Sequence, residues 1–173
     1  MIGVGHWMPI VSLLGQTDPG INVDIGPTNG LLGGAVGAFL TTLVVGAILV
    51  AVVPGYTERT MATVLEDPVG SFTYGIVSLL VVTVVMVVLV ITIVGVLVAV
   101  PLLLLAYLVW SIGAAIAYLA IAQRLVGRDD GWLKPLLVAA ALNGLLVLTA
   151  VGGILSICIG AAGFGAVLRR YLA

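Results

Sequence analysis

Single histidine, single cysteine, paired aspartates and a lone intramembrane amide are the residue types here from which chemistry could be built. A Ser/His/Asp or Cys/His site needs a nucleophile within hydrogen-bond reach of a base. His6 lies near the N-terminus in "MIGVGHWMPIV" with no partner around it, and Cys158 lies in the apolar run "GGILSICIGAAG". One cysteine allows neither a disulfide framework nor a Cys-x-x-Cys metal site within a chain, so Cys158 reads as a small core-filling residue. Asp129 and Asp130, in "QRLVGRDDGWLK", could face a cation, but no further oxygen ligands stand nearby, and a solvated or ion-paired loop is expected. Asn143 is the one amide well inside an apolar run. An interhelical hydrogen bond is its expected role, ahead of binding a polar substrate.

The glycine-rich stretches "GGAVGAFL" and "GAAGFGAV" do not follow a strand in a βαβ unit, so they are not phosphate cradles. Their four-residue spacing suits close packing of helices: Gly33–Gly37, Gly113–Ala117 and Gly152–Ser156–Gly160. Proton relays and carriers of charged substrates need ionisable groups within the membrane. The long apolar runs hold none beyond Cys158 and tyrosines. The chain is therefore expected not to be an enzyme, and no metal or other cofactor is expected.

The elements that position these residues follow from composition. Of 173 residues, 62% are apolar and 8% charged, and the mean hydropathy is +1.37. A soluble domain carries about 25% charged residues, so the expected solvent is lipid. Every backbone N–H and C=O must then be satisfied internally. Long unbroken runs favour helices over a barrel, whose strands alternate in segments of about 10 residues. The expected fold is all-α, a polytopic helical membrane protein of about five spans. A net charge of −1 argues against nucleic acid and against a polybasic lipid-binding patch. The N-terminus has no positive region ahead of its short apolar core, so a cleaved signal peptide is not expected.

Residues 1–30, with "GQTDPGINVDIGPTNG", have turn chemistry and are expected to form an irregular extracellular segment, leaving 31–173 as the membrane domain. The first span is expected at 31–53, stopped by Pro54. The loop after it could hold a short interfacial helix from Thr57 to Leu65. From Val69 to Ala122 the chain lacks Asp, Glu, Lys, Arg, His, Asn and Gln altogether. One helix of that length would be roughly 80 Å long, so the run must fold back. Gly95 and Pro101 are the expected breakers, giving spans at 71–94 and 101–122 joined by a sheltered apolar turn "GVLVAV". The next uncharged run, Pro135 to Leu168, is expected to break at Gly152 and Gly153. It would form a short or re-entrant hairpin of spans 135–150 and 153–168.

The two hairpins align with each other: "LVITIVGVLV" at 89–98 matches "LVLTAVGGIL" at 146–155, pairing Thr92 with Thr149 and Gly95 with Gly152. Both then end in basic residues, which suggests a repeat running in one direction, unlike the inverted repeats of many transporters. All six Lys and Arg residues (Arg59, Arg124, Arg128, Lys134, Arg169, Arg170) fall on the C-terminal side of a five-span topology. The positive-inside rule then places the N-terminus outside and the C-terminus in the cytoplasm of a cell-membrane protein.

From about Gly33 to the end, through "TIVGVLVAVP", the basic loop and "AVGG", the chain resembles the multi-span membrane domain often found after bactofilin-type, polymer-forming cytoskeletal domains. It is especially similar to short stand-alone haloarchaeal membrane proteins of unknown function. Pro101 stands further from Gly95 than in the usual "TIVGIP". The resemblance does not extend to the β-helical bactofilin domain, so it does not imply filament formation, and it supplies no catalytic residues. The expected role is a non-catalytic homo-oligomeric scaffold or anchor in the lipid bilayer, linking it to cytoskeletal or envelope partners. The alternative is a small transporter, channel or accessory subunit of a larger membrane complex.

Overall fold

The computed structural model describes residues 27–128 and 131–172. Among these there are six helices and no strand: α1 (Pro27–Val52), α2 (Pro54–Glu66), α3 (Pro68–Ile91), α4 (Ile93–Val126), α5 (Leu133–Val147) and α6 (Ala150–Leu172). Residues Leu31–Ala173 form one compact unit. The expectations for His6, for most of the 1–30 segment and for Asp129 and Asp130 lie outside the described residues, although Pro27–Gly30 already belong to α1.

Four helices are long and apolar enough to cross a bilayer, over Gly30–Val52, Pro68–Ile91, Gly95–Val126 and Val151–Tyr171. The fold is thus that of a polytopic helical membrane protein. The helix at the fourth expected span, α5, has 15 residues. It rises only roughly 22 Å, short of the roughly 30 Å hydrocarbon core. The second hairpin is therefore unequal, a short helix followed by a full-length one.

The breaks differ from those expected, and the difference has a physical cause. Two of them do fall at residues preceding proline, as the clash with the proline ring requires. Val53 (φ −133°, ψ 54°) separates α1 from α2, and Asp67 (φ −135°, ψ 73°) separates α2 from α3. Pro101, by contrast, lies inside α4, and the expected turn from Gly95 to Val100 is helix. The chain turns instead at Thr92 (φ −100°, ψ 135°). There the Thr92 hydroxyl donates to the Leu89 carbonyl at 2.9 Å and accepts from the Gly95 N–H at 3.1 Å. One side chain so closes the end of α3 and caps the start of α4.

The same device recurs 57 residues later. The Thr149 hydroxyl donates to the Leu146 carbonyl at 3.1 Å and accepts from the Gly152 N–H at 3.0 Å. The α5–α6 break therefore falls at Leu148–Thr149, not at Gly152–Gly153, which lie in the first turn of α6. Gly95 and Gly152 share a reason for being glycine. A Cβ on Gly95 would overlap the Leu89 carbonyl oxygen and Thr92 Oγ1, and one on Gly152 would overlap the Leu146 carbonyl oxygen and Thr149 Oγ1. The repeated unit is Leu-x-x-Thr-x-x-Gly.

Packing centres on α6. A Cβ on Gly75 of α3 would overlap the Ala161 carbonyl, and one on Gly165 would overlap the Ser71 carbonyl. On the other side of α6, Gly163 meets the backbone of Gly113 in α4, and Gly160 lies under the Trp110 ring. Backbones this close gain dispersion along their whole length, which is what drives association where lipid removes the hydrophobic term. The largest buried cluster joins Leu49, Met61, Ile116, Tyr118, Leu119, Leu136, Ala139 and Val167, from α1, α2, α4, α5 and α6. From Ile76 to Ile112, Gly95 and Ala99 are the residues recorded as buried, so the outer half of the α3–α4 hairpin faces lipid with side chains such as Leu80, Ile91 and Leu97.

Neighbouring glycines test the break directly. Gly152→Ala, and likewise Gly95→Ala, should destabilise the detergent-solubilised protein by about 1–3 kcal/mol, because the methyl group collides with a carbonyl that cannot retreat. Gly153, whose Cβ would meet nothing within 4 Å, should accept alanine at no cost or with a gain of up to about 1 kcal/mol. Thermal unfolding of the three variants in one detergent measures the contrast.

Candidate functional site

Four polar side chains from four apolar helices meet in one place. Asn143 of α5 donates through Nδ2 to Thr42 Oγ1 of α1 at 2.7 Å and, at the longer distance of 3.4 Å, to the Ala38 carbonyl. Its Oδ1 accepts from Ser156 Oγ of α6 at 3.2 Å. Ser156 Oγ in turn accepts from Tyr118 Oη of α4 at 2.8 Å. Four helices are tied by one chain of hydrogen bonds, Tyr118–Ser156–Asn143–Thr42. The expected interhelical bond of Asn143 is thus present, embedded in a wider network. Asn143 sits 10 residues into α5 from Leu133, roughly 15 Å along the helix axis.

Small residues make the arrangement possible. Gly144, next to Asn143, lets α5 approach the α1 backbone at Ala35, where a Cβ would come within 3.1 Å of the carbonyl oxygen. On the same α1–α5 contact a Cβ at Gly46 would meet Leu136 Cδ1 at 2.7 Å. Beside the network, between α1 and α4, is a cavity of about 440 Å³ lined in part by Gly37, Thr41, Tyr107, Trp110, Ser111 and Ile157. No ionisable Asp, Glu, Lys, Arg or His lines it.

The other residues expected to pack helices occupy varied positions. Gly113 and Gly160 lie in the α4–α6 contact, and Gly95 and Gly152 lie at the two breaks. Gly33, Gly37 and Gly153 face open space, and Pro101 is exposed on α4. Cys158 is half-buried and borders a smaller apolar cavity with Phe72, Ile121 and Arg124. Among the described residues no group of three or more His, Cys, Asp or Glu could hold a metal ion.

Among the described residues the ion pairs lie at one end of the bundle. Arg128 Nη1 pairs with Glu58 Oε1 at 2.6 Å, and Arg169 Nη1 with Asp67 Oδ2 at 2.8 Å. These pairs attach α2 to the α4–α5 loop and to the end of α6. The Arg128 guanidinium lies 4.3 Å from the Trp132 ring centre, and that of Arg170 lies 5.3 Å from the Tyr56 ring. Both ion pairs are about half exposed, so their main effect is to orient α2. Asp67 also accepts from the Gly70 N–H at 2.9 Å, capping α3. The hydrogen bond from Arg169, seconded by that from Gly70, holds its carboxyl below the usual carboxylate range.

Sequence patterning pointed to Asn143 but not to Thr42, Ser156 or Tyr118, because hydroxyls inside apolar runs usually bond back to their own helix, as Thr83 does to Leu79. The available signal was spacing. Ser156 sits between Gly152 and Gly160 on one small-residue face of α6.

The family described as a domain of unknown function, DUF8173, matches residues 9–173. No curated protein matches the chain, and no solved structure does.

Two measurements follow. Asn143→Leu removes the centre of the network and leaves Thr42 and Ser156 without their partner. It should lower stability in detergent by about 1–2 kcal/mol, the scale of hydrogen bonds within membranes. At the charged end, Asp67 has a depressed folded-state pKa, so its stabilisation is full above about pH 4. That contribution fades as the pH falls through the folded-state value. Thermal unfolding followed from about pH 6 to about pH 3 should show this loss in the parent, and Asp67→Asn should flatten that part of the profile.

Proposed function

We propose, for a chain that belongs to the family of the domain of unknown function DUF8173, a non-catalytic role as an integral membrane scaffold or anchor. The observation that carries this reading is the separation of charge. The described Lys and Arg residues lie at one end of the bundle, around α2, while Tyr118, Ser156, Asn143 and Thr42 inside it are engaged with one another. A membrane body with one charged face suits holding a partner better than moving an ion, which needs charged or titratable groups along its path.

The positive-inside rule supports a cytoplasmic assignment for that face, with the N-terminal end of α1 on the opposite, external side of the cell membrane. The likeness to membrane domains that accompany bactofilin-type proteins supports cytoskeletal or envelope partners there. Gly33, exposed on α1 with nothing within 4 Å of its Cβ position, supports self-association into a homo-oligomer. The cavity beside Asn143 favours a second reading, a small carrier or accessory subunit that handles an uncharged molecule.

Arg59 and Arg124 make no ion pair among the described residues and are the groups through which a partner would be held. Cross-linking from these two positions in intact cells should capture the same cytoplasmic protein, and Arg59→Glu with Arg124→Glu should abolish capture without altering the oligomeric state. Vesicles containing the purified protein alone should stay tight to ions and small solutes. Solute flux in such vesicles, with no cross-linked partner, would replace the scaffold reading by the carrier one. Orientation is read separately. With Cys158→Ala as background, Arg128→Cys should react with an impermeant maleimide only after the cells are opened.

A further inference from the structure

The cavity between α1 and α4 has a chemistry that its own hydrogen bonds do not use up. The Tyr118–Ser156–Asn143–Thr42 chain forms its floor, and each of those four side chains already has a partner. Three other donors line the cavity without one. Thr41, Tyr107 and Trp110 make no side-chain hydrogen bond among the described residues. Threonines elsewhere in the apolar helices do bond back to the helix, as Thr73 and Thr83 do, so a free hydroxyl at Thr41 is a departure from the local pattern. A donor left open in hydrocarbon is costly, and a ligand that brings acceptor oxygens relieves that cost.

The route of entry is lateral. Leu136 and Leu119 pack against Gly46 on the charged-end side of α1, and Val147 lies against Gly34 on the other. Thr41, Tyr107 and Ile157 are all exposed on the side that faces lipid. With no charged group in its lining, the site discriminates against ions and charged headgroups. Its volume, about 440 Å³, lies within the roughly 300–1,000 Å³ of small-molecule sites. The aromatic wall is held in place, because the Trp110 ring lies over Gly160 and its centroid is 5.9 Å from that of Phe164.

We propose that this cavity binds an uncharged, membrane-dissolved lipid whose carbonyl oxygens accept hydrogen bonds from Thr41, Tyr107 and Trp110, and which enters sideways from the bilayer between α1 and α4. Such carbonyls come from two sources, the ring of an isoprenoid-type quinone or the esters of a neutral glycerolipid. The inference goes beyond the scaffold reading and does not depend on it.

Trp110 reports on its own cavity. In the full chain carrying Trp7→Phe and Trp132→Phe, its emission is titrated in detergent with a decyl-substituted benzoquinone and, separately, with dioctanoylglycerol. Saturable quenching by the benzoquinone alone assigns the quinone ring, and a saturable shift with dioctanoylglycerol alone assigns the ester. A response to both that is mutually competitive establishes the shared carbonyl chemistry. Thr41→Val with Tyr107→Phe, which leaves the Asn143 network untouched, should weaken binding about tenfold. Gly37→Leu, whose side chain enters open space at the cavity wall, should abolish it while the thermal unfolding midpoint stays at the parent's value. Absence of a saturable response to either probe overturns the proposal. So does a response of undiminished affinity in Gly37→Leu, which would mean that the probe sits elsewhere.

Discussion

In hydrocarbon a backbone N–H or C=O without a partner costs several kcal/mol, because no water is present to take its place. At the bends of this chain the backbone groups that helix ends leave open find partners locally. At Thr92 and Thr149 one hydroxyl serves both sides of the break, donating to a carbonyl in the last turn of one helix (Leu89, Leu146) and accepting from the third N–H of the next. At Val53 and Asp67, where proline opens the following helix, the missing proline N–H is one that would have had no partner anyway. Thr57 adds to the first of these joints by donating to the Leu49 and Val53 carbonyls. Even Pro101, the strongest breaker by type, does not interrupt α4.

Once the bends are set, close approach of backbones holds the bundle. The glycines of α6 let α3 and α4 pack on either side of it, and those of α1 and α5 let Asn143 reach Thr42. Because these contacts are backbone to backbone, they leave few large side chains for a conventional core, and the buried aliphatic cluster collects near the charged end. The outer half of the α3–α4 hairpin has lipid instead of protein around it. Such an arrangement is stable in a bilayer and would not be in water.

Polar groups are partitioned with the same economy. Among the described residues the ion pairs sit around α2, and Tyr118, Ser156, Asn143 and Thr42 form a network across four helices. The three donors beside that network are the exception, and they are what distinguishes the α1–α4 cavity from ordinary packing space.

Composition and the length of the apolar runs determined the solvent, the all-helical class and the clustering of Lys and Arg towards one end, because those depend on summed hydrophobicity and on the rise of a helix. The internal match of Thr92 with Thr149 and of Gly95 with Gly152 was also legible, since a local capping motif is written in consecutive residues. The positions of the breaks were not. Gly and Pro were expected to act by propensity, yet a threonine that satisfies two helix ends outweighs a proline that satisfies none. The unequal second hairpin, the bonding of Asn143 to Thr42 and Ser156, and the cavity beside them required the tertiary structure. Each depends on which helix faces meet across 13 to 101 residues of sequence, and a near-uniform surface of Val, Leu and Ala gives the sequence no periodicity from which to read those faces.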